Sequence, residues 1–386
     1  MRTVTRLAPF ATTIFAEMSQ LAATHDAINL GQGFPDTDGP QAMLDAARAA
    51  IAEGNNQYPP GPGIPALRQA VADHQLRCYG IEYDPASEIL ITVGATEAIA
   101  GSLVGLVETG DEVVMIEPYY DAYAAATAMA GGVRRTVPLV ADGDGFSLDR
   151  DALASTITDA TRVLIVNSPH NPTGTVLGDE DLRAIAQTCI EHDVIVISDE
   201  VYEHLVFDGR THTTIAALPG MRERTLRISS AAKTFNVTGW KVGWVSGPAD
   251  LVAAARTAKQ FMSYVGSGPF QPAIAVALNT EMDWVRDSCA ALSAKRDLIS
   301  GALRDVGFGV HRTEGTFFVC ADPRPLGYTD GEEFCRDLPA RVGVAAVPVS
   351  AFVDHPEPWA HLVRFAFAKR DEVLLEGAER LRRLQA

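Results

Sequence analysis

The chain has 386 residues, more than the roughly 250–300 at which a single hydrophobic core stops growing, so it should divide into two domains. Its composition, 47% apolar and 21% charged without a biased tract, excludes a disordered or fibrous protein. A net charge of −17 argues against nucleic acid or an anionic membrane as the main partner, since both require a basic face. It leaves open an anionic substrate, because a few buried cations can dominate a pocket locally.

In chain order, the first stretch, MRTVTRLAPFATTIFAEM, faintly resembles a signal peptide, but Pro9, its threonines and Glu17 interrupt the apolar run. No apolar segment approaches the ~20 residues needed to cross a bilayer. From residue 41 to about 250 short Val- and Ile-rich runs alternate with longer helical stretches. The runs are 88–94, 112–117, 162–167, 193–199, 225–229 and 242–247, with Ala- and Leu-rich segments such as 96–107, 120–130 and 179–191 between several of them. That alternation predicts an α/β domain with a mostly parallel sheet covered on both faces. Beyond 250 the spacing predicts long helices over 249–265 and 283–305, short strands near 315–321 and 362–368, and a terminal helix from about 370. The expected division is an N-terminal arm (1–40) that joins a smaller α+β domain (283–386), with a large domain over 41–282.

Five scattered cysteines, never spaced CxxC, and nine histidines without an HxxxH or HxH pair suit reduced thiols in a cytoplasm and give no metal signature. In a parallel sheet, ligands sit beyond the carboxyl ends of the strands, so the residues that follow each run carry the interest. Of five lysines, Lys259 and Lys295 lie in helical stretches and read as solvated. Lys233 follows the run at 225–229 in the small-residue loop SSAAK, which has room for a planar ligand beside it. Gly94-Ala95-Thr96 opens a helix after a strand and can present backbone N–H groups to an anion, although Thr96 alone reads as a cap. Asp199 ends a buried run, where a carboxylate is costly unless it is paired. Tyr202 lies three residues further on. NSPHNPTG (167–174) is by composition a rigid turn. Arg364 alternates with apolar neighbours in HLVRFAFAKRD, and an inward arginine requires an anion or a salt bridge.

Taken together and in this order, NPTG, the Asp199–Tyr202 pair, SxxK with GWKVGW, and the late arginine resemble the class I aminotransferases, pyridoxal-phosphate enzymes of fold type I. INLGQGFPD, NQYPPGPG, VGATEA and EGTFF are similar to the branch that holds kynurenine and glutamine aminotransferases. SSAAKTFNVTGWKVGW, TVPLV (136–140) and CADPRPLGY (320–328) look especially close to the actinobacterial N-succinyldiaminopimelate aminotransferases. The resemblance implies that Lys233 carries pyridoxal 5'-phosphate as an imine and that Ala95, Thr96, Ser230 and Lys241 hold its phosphate. Tyr58 of a neighbouring subunit would reach the same phosphate, which implies a homodimer. Tyr120 would stack on the ring, Asp199 would pair with its nitrogen, and Asn171 and Tyr202 would bond its hydroxyl. Arg364, with Gly33 and Asn171, would bind the substrate carboxylate, with Phe15 and Tyr264 near the substrate.

The chain departs from the family in two places. Lys241 stands where the aspartate branch has arginine, which keeps the cation, and Tyr264-Val265 replaces the Phe-His pair common in the kynurenine branch. The expected activity is amino transfer between an amino acid and a 2-oxo acid, with N-succinyl-LL-2,6-diaminopimelate and 2-oxoglutarate as the pair the resemblance points to. The alternatives are a broad glutamine, methionine or aromatic aminotransferase, or a cysteine-S-conjugate β-lyase activity, since the same residues make the same carbanion. A cofactor-binding regulator would need a basic or helix-turn-helix segment, and none is visible before residue 31 or after 370.

Overall fold

The computed structural model describes residues 3–385. Among them an eight-stranded sheet is built from β1 (Ile89–Val93), β2 (Glu112–Glu117), β3 (Val133–Asp142), β4 (Gly145–Leu148), β5 (Thr161–Asn167), β6 (Ile195–Asp199), β7 (Thr225–Ser230) and β8 (Val242–Ser246). Its spatial order is β1-β8-β7-β6-β5-β2-β3-β4. Apart from Arg162, Arg227 and the terminal Asn167 and Asp199, strands β5, β6 and β7 are built of apolar and small residues and are buried almost throughout, as expected of parallel strands covered on both faces. Helices Gly94–Leu106, Asp121–Ala130 and Asp179–Glu191 provide part of that cover and fall within a residue or two of the expected spans.

Two strands run against the rest. β4 folds back on β3 as a hairpin at the edge. β8 lies between β7 and β1 and is antiparallel to both. The chain leaves β7 at Ser230 and enters β8 at Val242, too short a connection for a parallel crossover, which needs a dozen or more residues. It therefore turns back on the same edge, so the start of β8 stands beside the end of β7.

The remaining strands form a smaller layer. β9 (Gly309–Val310), β10 (Phe318–Asp322), β11 (Val347–Pro348) and β12 (Val363–Ala366) make an antiparallel sheet in the order β9-β10-β12-β11. The N-terminal segment joins this part, since Ile28–Asn29 pairs in parallel with Val344–Ala345. Met18 and Leu30 share a buried cluster with Phe318, Phe334, Phe365 and Leu374.

Two expectations from the sequence need correction. The helix expected over 249–265 ends at Lys259, and a separate helix spans Phe270–Thr280. Between them Tyr264 and Ser267 adopt positive φ, and Gly266, Gly268 and Pro269 follow Lys259 closely, so helical φ/ψ cannot be carried through. Lys259 is also not solvated: it is 3% exposed, and its ammonium donates to the Tyr264 carbonyl at 2.7 Å. Lys295 is partly covered as well, with Nζ 2.6 Å from the Lys369 carbonyl and 3.3 Å from Asp371.

Candidate active site

The carboxyl ends of β1, β2, β5, β6 and β7 converge on one cavity of about 370 Å³. β1 delivers Gly94, Ala95 and Thr96 at the N-terminus of the helix Gly94–Leu106. Gly94 sits at φ +73°, a conformation that favours glycine, and Lys241 Nζ lies close by, 3.3 Å from where a Cβ would stand. β2 delivers Tyr120 and Tyr123, β5 delivers Asn167 and Asn171, β6 delivers Asp199 and Tyr202, and β7 delivers Ser230 and Lys233. The reversal of β8 adds Lys241 from its leading end. The smaller layer closes the cavity with Arg364 on β12 and Phe318 on β10, and the N-terminal segment adds Phe15, Gln32, Gly33 and Phe34.

Hydrogen bonds fix these groups from behind. Asn167 donates to the Asp199 carbonyl at 2.9 Å and accepts from the Asn171 amide at 2.8 Å, which ties the ends of β5 and β6 together. Tyr123 donates its hydroxyl to Asp199 Oδ2 at 2.5 Å, and the Val201 amide reaches Oδ1 at 3.2 Å. Ser230 precedes the single helical turn Ala231–Thr234 without a side-chain cap bond, so its hydroxyl is not committed to the helix. Lys233 donates to the Gly33 carbonyl at 3.0 Å. A Cβ at Gly33 would overlap the Phe318 ring, so this close approach requires glycine.

Three cationic side chains, Lys233, Lys241 and Arg364, line the cavity against one carboxylate, Asp199. The excess is positive although the whole chain carries −17. Arg364 is 1% exposed, and both of its hydrogen bonds go to neutral oxygens: Nη1 to Asn171 Oδ1 at 2.7 Å and Nη2 to the Gly31 carbonyl at 2.9 Å. Its Nε has no partner among the described residues, and the Phe318 ring lies 3.9 Å from the guanidinium carbon. A buried guanidinium without a paired anion is costly, so it calls for an anionic ligand.

The same crowding shifts the titrations. Burial, with help from Arg364 and Lys241, pushes Lys233 down to about 8 against the pull of Asp199. Burial lifts Asp199 to about 6, opposed by the Tyr123 hydroxyl, the Val201 amide and Lys233. Burial also raises Tyr120 to about 12 and lowers Arg364 to about 10. Tyr202 is driven well above its ordinary range by burial. At neutral pH Asp199 is mostly an anion facing the cavity, and roughly a tenth of Lys233 is neutral, far more than for an ordinary lysine, which favours a nucleophile or base.

Of the residues the sequence pointed to, Lys233, Ala95, Thr96, Tyr120, Asn171, Asp199, Tyr202, Ser230, Lys241, Gly33, Phe15 and Arg364 all line this one cavity. Tyr58 and Tyr264 do not. They form an edge-to-face pair elsewhere with ring centres 5.6 Å apart, and Tyr58 is 81% exposed. Sequence reasoning missed Tyr123, Asn167, Gln32, Phe34, Thr238 and Phe318. Only Tyr123 and Asn167 carried a usable signal, since each sits at the end of a buried strand or on the first turn after it.

The chain matches the family described as aminotransferase class I and II over residues 25–381. It is 58% identical to the probable N-succinyldiaminopimelate aminotransferase DapC of Mycobacterium tuberculosis, over 98% of each chain. It is 40% identical to the methionine aminotransferase of Escherichia coli, over 98% of this chain and 97% of that one. The solved structure of N-succinyldiaminopimelate aminotransferase from Mycobacterium tuberculosis superposes with a TM-score of 0.98 at 59% identity, covering 99% of this chain and all of that one. An eight-stranded, mostly parallel sheet with a smaller antiparallel sheet, strand ends that converge on a lysine, an aspartate and an unpaired arginine, and a family match over nearly the whole length lead to one conclusion: the chain belongs to the class I and II aminotransferases, with the fold-type-I architecture.

Proposed function

We propose that the cavity holds pyridoxal 5'-phosphate and that the enzyme transfers the amino group between N-succinyl-LL-2,6-diaminopimelate and 2-oxoglutarate in a ping-pong cycle. The observation that carries the reading is the charge of the cavity, where Lys233, Lys241 and an Arg364 with no paired anion face a single carboxylate. A phosphate and a carboxylate together fit that excess. Lys241 Nζ against Gly94, at the N-terminus of a thirteen-residue helix, suits the phosphate, with the Ala95 and Thr96 amides and the Ser230 hydroxyl. Asp199 suits a protonated ring nitrogen, Tyr120 a ring face, and Asn171 with Tyr202 a ring hydroxyl.

Bound there, the cofactor supplies an electron sink that makes the substrate's Cα proton acidic. Asp199 holds the proton on the ring nitrogen. Lys233, with its lowered proton affinity, would hold the cofactor and would serve as the base that moves the proton from Cα; general-base steps of this kind contribute about 10²–10⁴-fold. Arg364 grips the α-carboxylate as a fork and so sets the direction of the Cα–H bond. Phe15 and Phe318 cover that site and exclude water.

The substrate assignment rests on the 58% identity to the probable N-succinyldiaminopimelate aminotransferase. The 40% identity to a methionine aminotransferase favours the second reading, a broad-specificity enzyme. The exposure of Tyr58, which packs edge-to-face on Tyr264, and of Phe261, which is 87% exposed, supports a homodimer in which Tyr58 of the partner subunit reaches the phosphate. We read residues 1–40 as an arm, 41–282 as the large domain and 283–386 as the small one, in a cytoplasmic enzyme. No helix among the described residues is long and apolar enough to cross a membrane.

The test is a half-reaction with single amino donors and no acceptor, following the absorbance of the lysine-bound cofactor. Bleaching by N-succinyl-LL-diaminopimelate and glutamate, with little by methionine, glutamine or kynurenine, is expected. Fast bleaching by the latter donors, with the succinylated one inert, selects the broad enzyme. Absence of the absorbance band removes the cofactor assignment.

A further inference from the structure

Next to Tyr202, in the turn that follows β6, Glu203 and His204 belong to a second cluster of ligand-type side chains, none of which lines the cavity. His74, on the helix Pro65–Tyr79, and His204 face each other with their Nε2 atoms 2.9 Å apart. Glu203 completes the group, and one donor atom from each of the three falls within 4.8 Å of the others. His74 and Glu203 are 0% and 2% exposed, and His204 is partly exposed. We propose that His74, Glu203 and His204 bind one zinc-class divalent cation, with a fourth position open to the surface.

Three observations support the assignment. The first is the donor set: two imidazoles and one carboxylate with an open direction is a donor set zinc-class ions take, and tetrahedral bonds of about 2.0–2.1 Å need the two nitrogens only slightly further apart than they now stand.

The second is the orphaned oxygen of Gln75. Its Nε2 lies 3.2 Å from His74 Nδ1, while its buried Oε1 has no partner among the described residues. With the amide turned over, Oε1 accepts the His74 Nδ1 proton, and the Nε2 lone pair is free for a cation. A ligating histidine ordinarily has such an acceptor behind it. In that tautomer His74 Nε2 presents a lone pair towards His204 Nε2, 2.9 Å away, where a His204 N–H or a cation would meet it.

The third is charge and access. Glu200 and Glu203 share the single guanidinium of Arg227, so the buried group carries more carboxylates than permanent cations. A surface recess of about 480 Å³ reaches His204 and is lined by Cys78 and Cys289, with Arg77 and Arg286 at its mouth. Arg286 pairs with Asp283, and Arg77 donates to the Leu278 carbonyl at 2.9 Å.

The test uses purified holoenzyme, stripped with a chelator, desalted and titrated with Co²⁺ while visible d–d absorption is read, followed by displacement with Zn²⁺. About one equivalent is expected to bind. His204→Gln and His74→Gln should each weaken binding by roughly ten-fold or more, with unchanged circular dichroism. Should His74→Gln fail to fold, His204→Gln at the rim of the cluster decides the matter alone. A Cys78→Ser/Cys289→Ser variant should bind as the parent does. No saturable uptake, uptake unaffected by the histidine substitutions, or uptake lost only with the two thiols would each overturn the site.

Discussion

Replacing Arg364 by lysine keeps one positive charge in the cavity and removes the fork. Arg364 is buried with its Nη atoms on Asn171 Oδ1 and the Gly31 carbonyl, at 2.7 and 2.9 Å. A lysine ammonium is a compact point charge that cannot hold these two oxygens and both oxygens of a carboxylate at once. The loss is at least one charge-assisted hydrogen bond, about 1.5–3 kcal/mol, or roughly 10- to 150-fold in kcat/KM. The assay compares the best amino donor with the amine that lacks its α-carboxylate, in parent and variant. The reasoning predicts a large loss for the amino acid and little change for the amine, which never used the fork. An equal loss on both would refute it, because Arg364 would then act by supporting the cavity rather than by gripping a carboxylate.

Other perturbations test the remaining parts of the site. Because Lys233 is lowered to about 8, capture of pyridoxal 5'-phosphate by cofactor-free protein should accelerate as pH rises, with a midpoint near 8; a midpoint near the ordinary lysine value of ~10.4 would contradict the burial argument. The folded state also binds fewer protons there than the unfolded one between those values. The stability of the cofactor-free protein should therefore rise with pH across that window, and Lys233→Met should abolish the rise in a denaturant series. Tyr123→Phe removes the 2.5 Å bond that opposes burial at Asp199, worth about 1.5–3 kcal/mol to the carboxylate, so the acid limb of the pH–rate profile should move to higher pH. An unmoved limb would leave Tyr123 as packing only. Mixing inactive Lys233→Ala with Tyr58→Ala subunits should restore activity if the tyrosine serves the neighbouring site; no recovery in proven mixed dimers would place Tyr58 outside it.

How much was legible beforehand varied with the kind of signal. The parallel sheet showed in its apolar runs, and the residues after each run could be nominated because strand ends in such sheets face the ligand. Lys233, Asp199 and Asn171 were found that way. Arg364 was visible as a charge alternating with apolar neighbours, although nothing local said whether a carboxylate awaited it. The structure answers that: its partners are neutral oxygens. Tyr123 was overlooked because its role depends on the distance to a side chain 76 positions away. The Lys259 error had the same origin, since helical periodicity does not reveal that an ammonium folds back onto the Tyr264 carbonyl.

The sequence by itself determined most local matters: where most strands and helices form, and which chemistry-bearing residues stand at strand ends. These follow from side-chain period, backbone sterics and the cost of burying charge, all of which act over a few residues. Only the tertiary structure decided what those residues face. The reversal of β8 that sets Lys241 against Gly94, the strand of the smaller sheet that carries Arg364 over the cavity, and the meeting of His74 with His204 across 130 positions depend on packing between distant segments. Desolvation arises from the same packing, so the lowered Lys233 and raised Asp199 are properties of the assembled cavity rather than of either residue's neighbours in sequence.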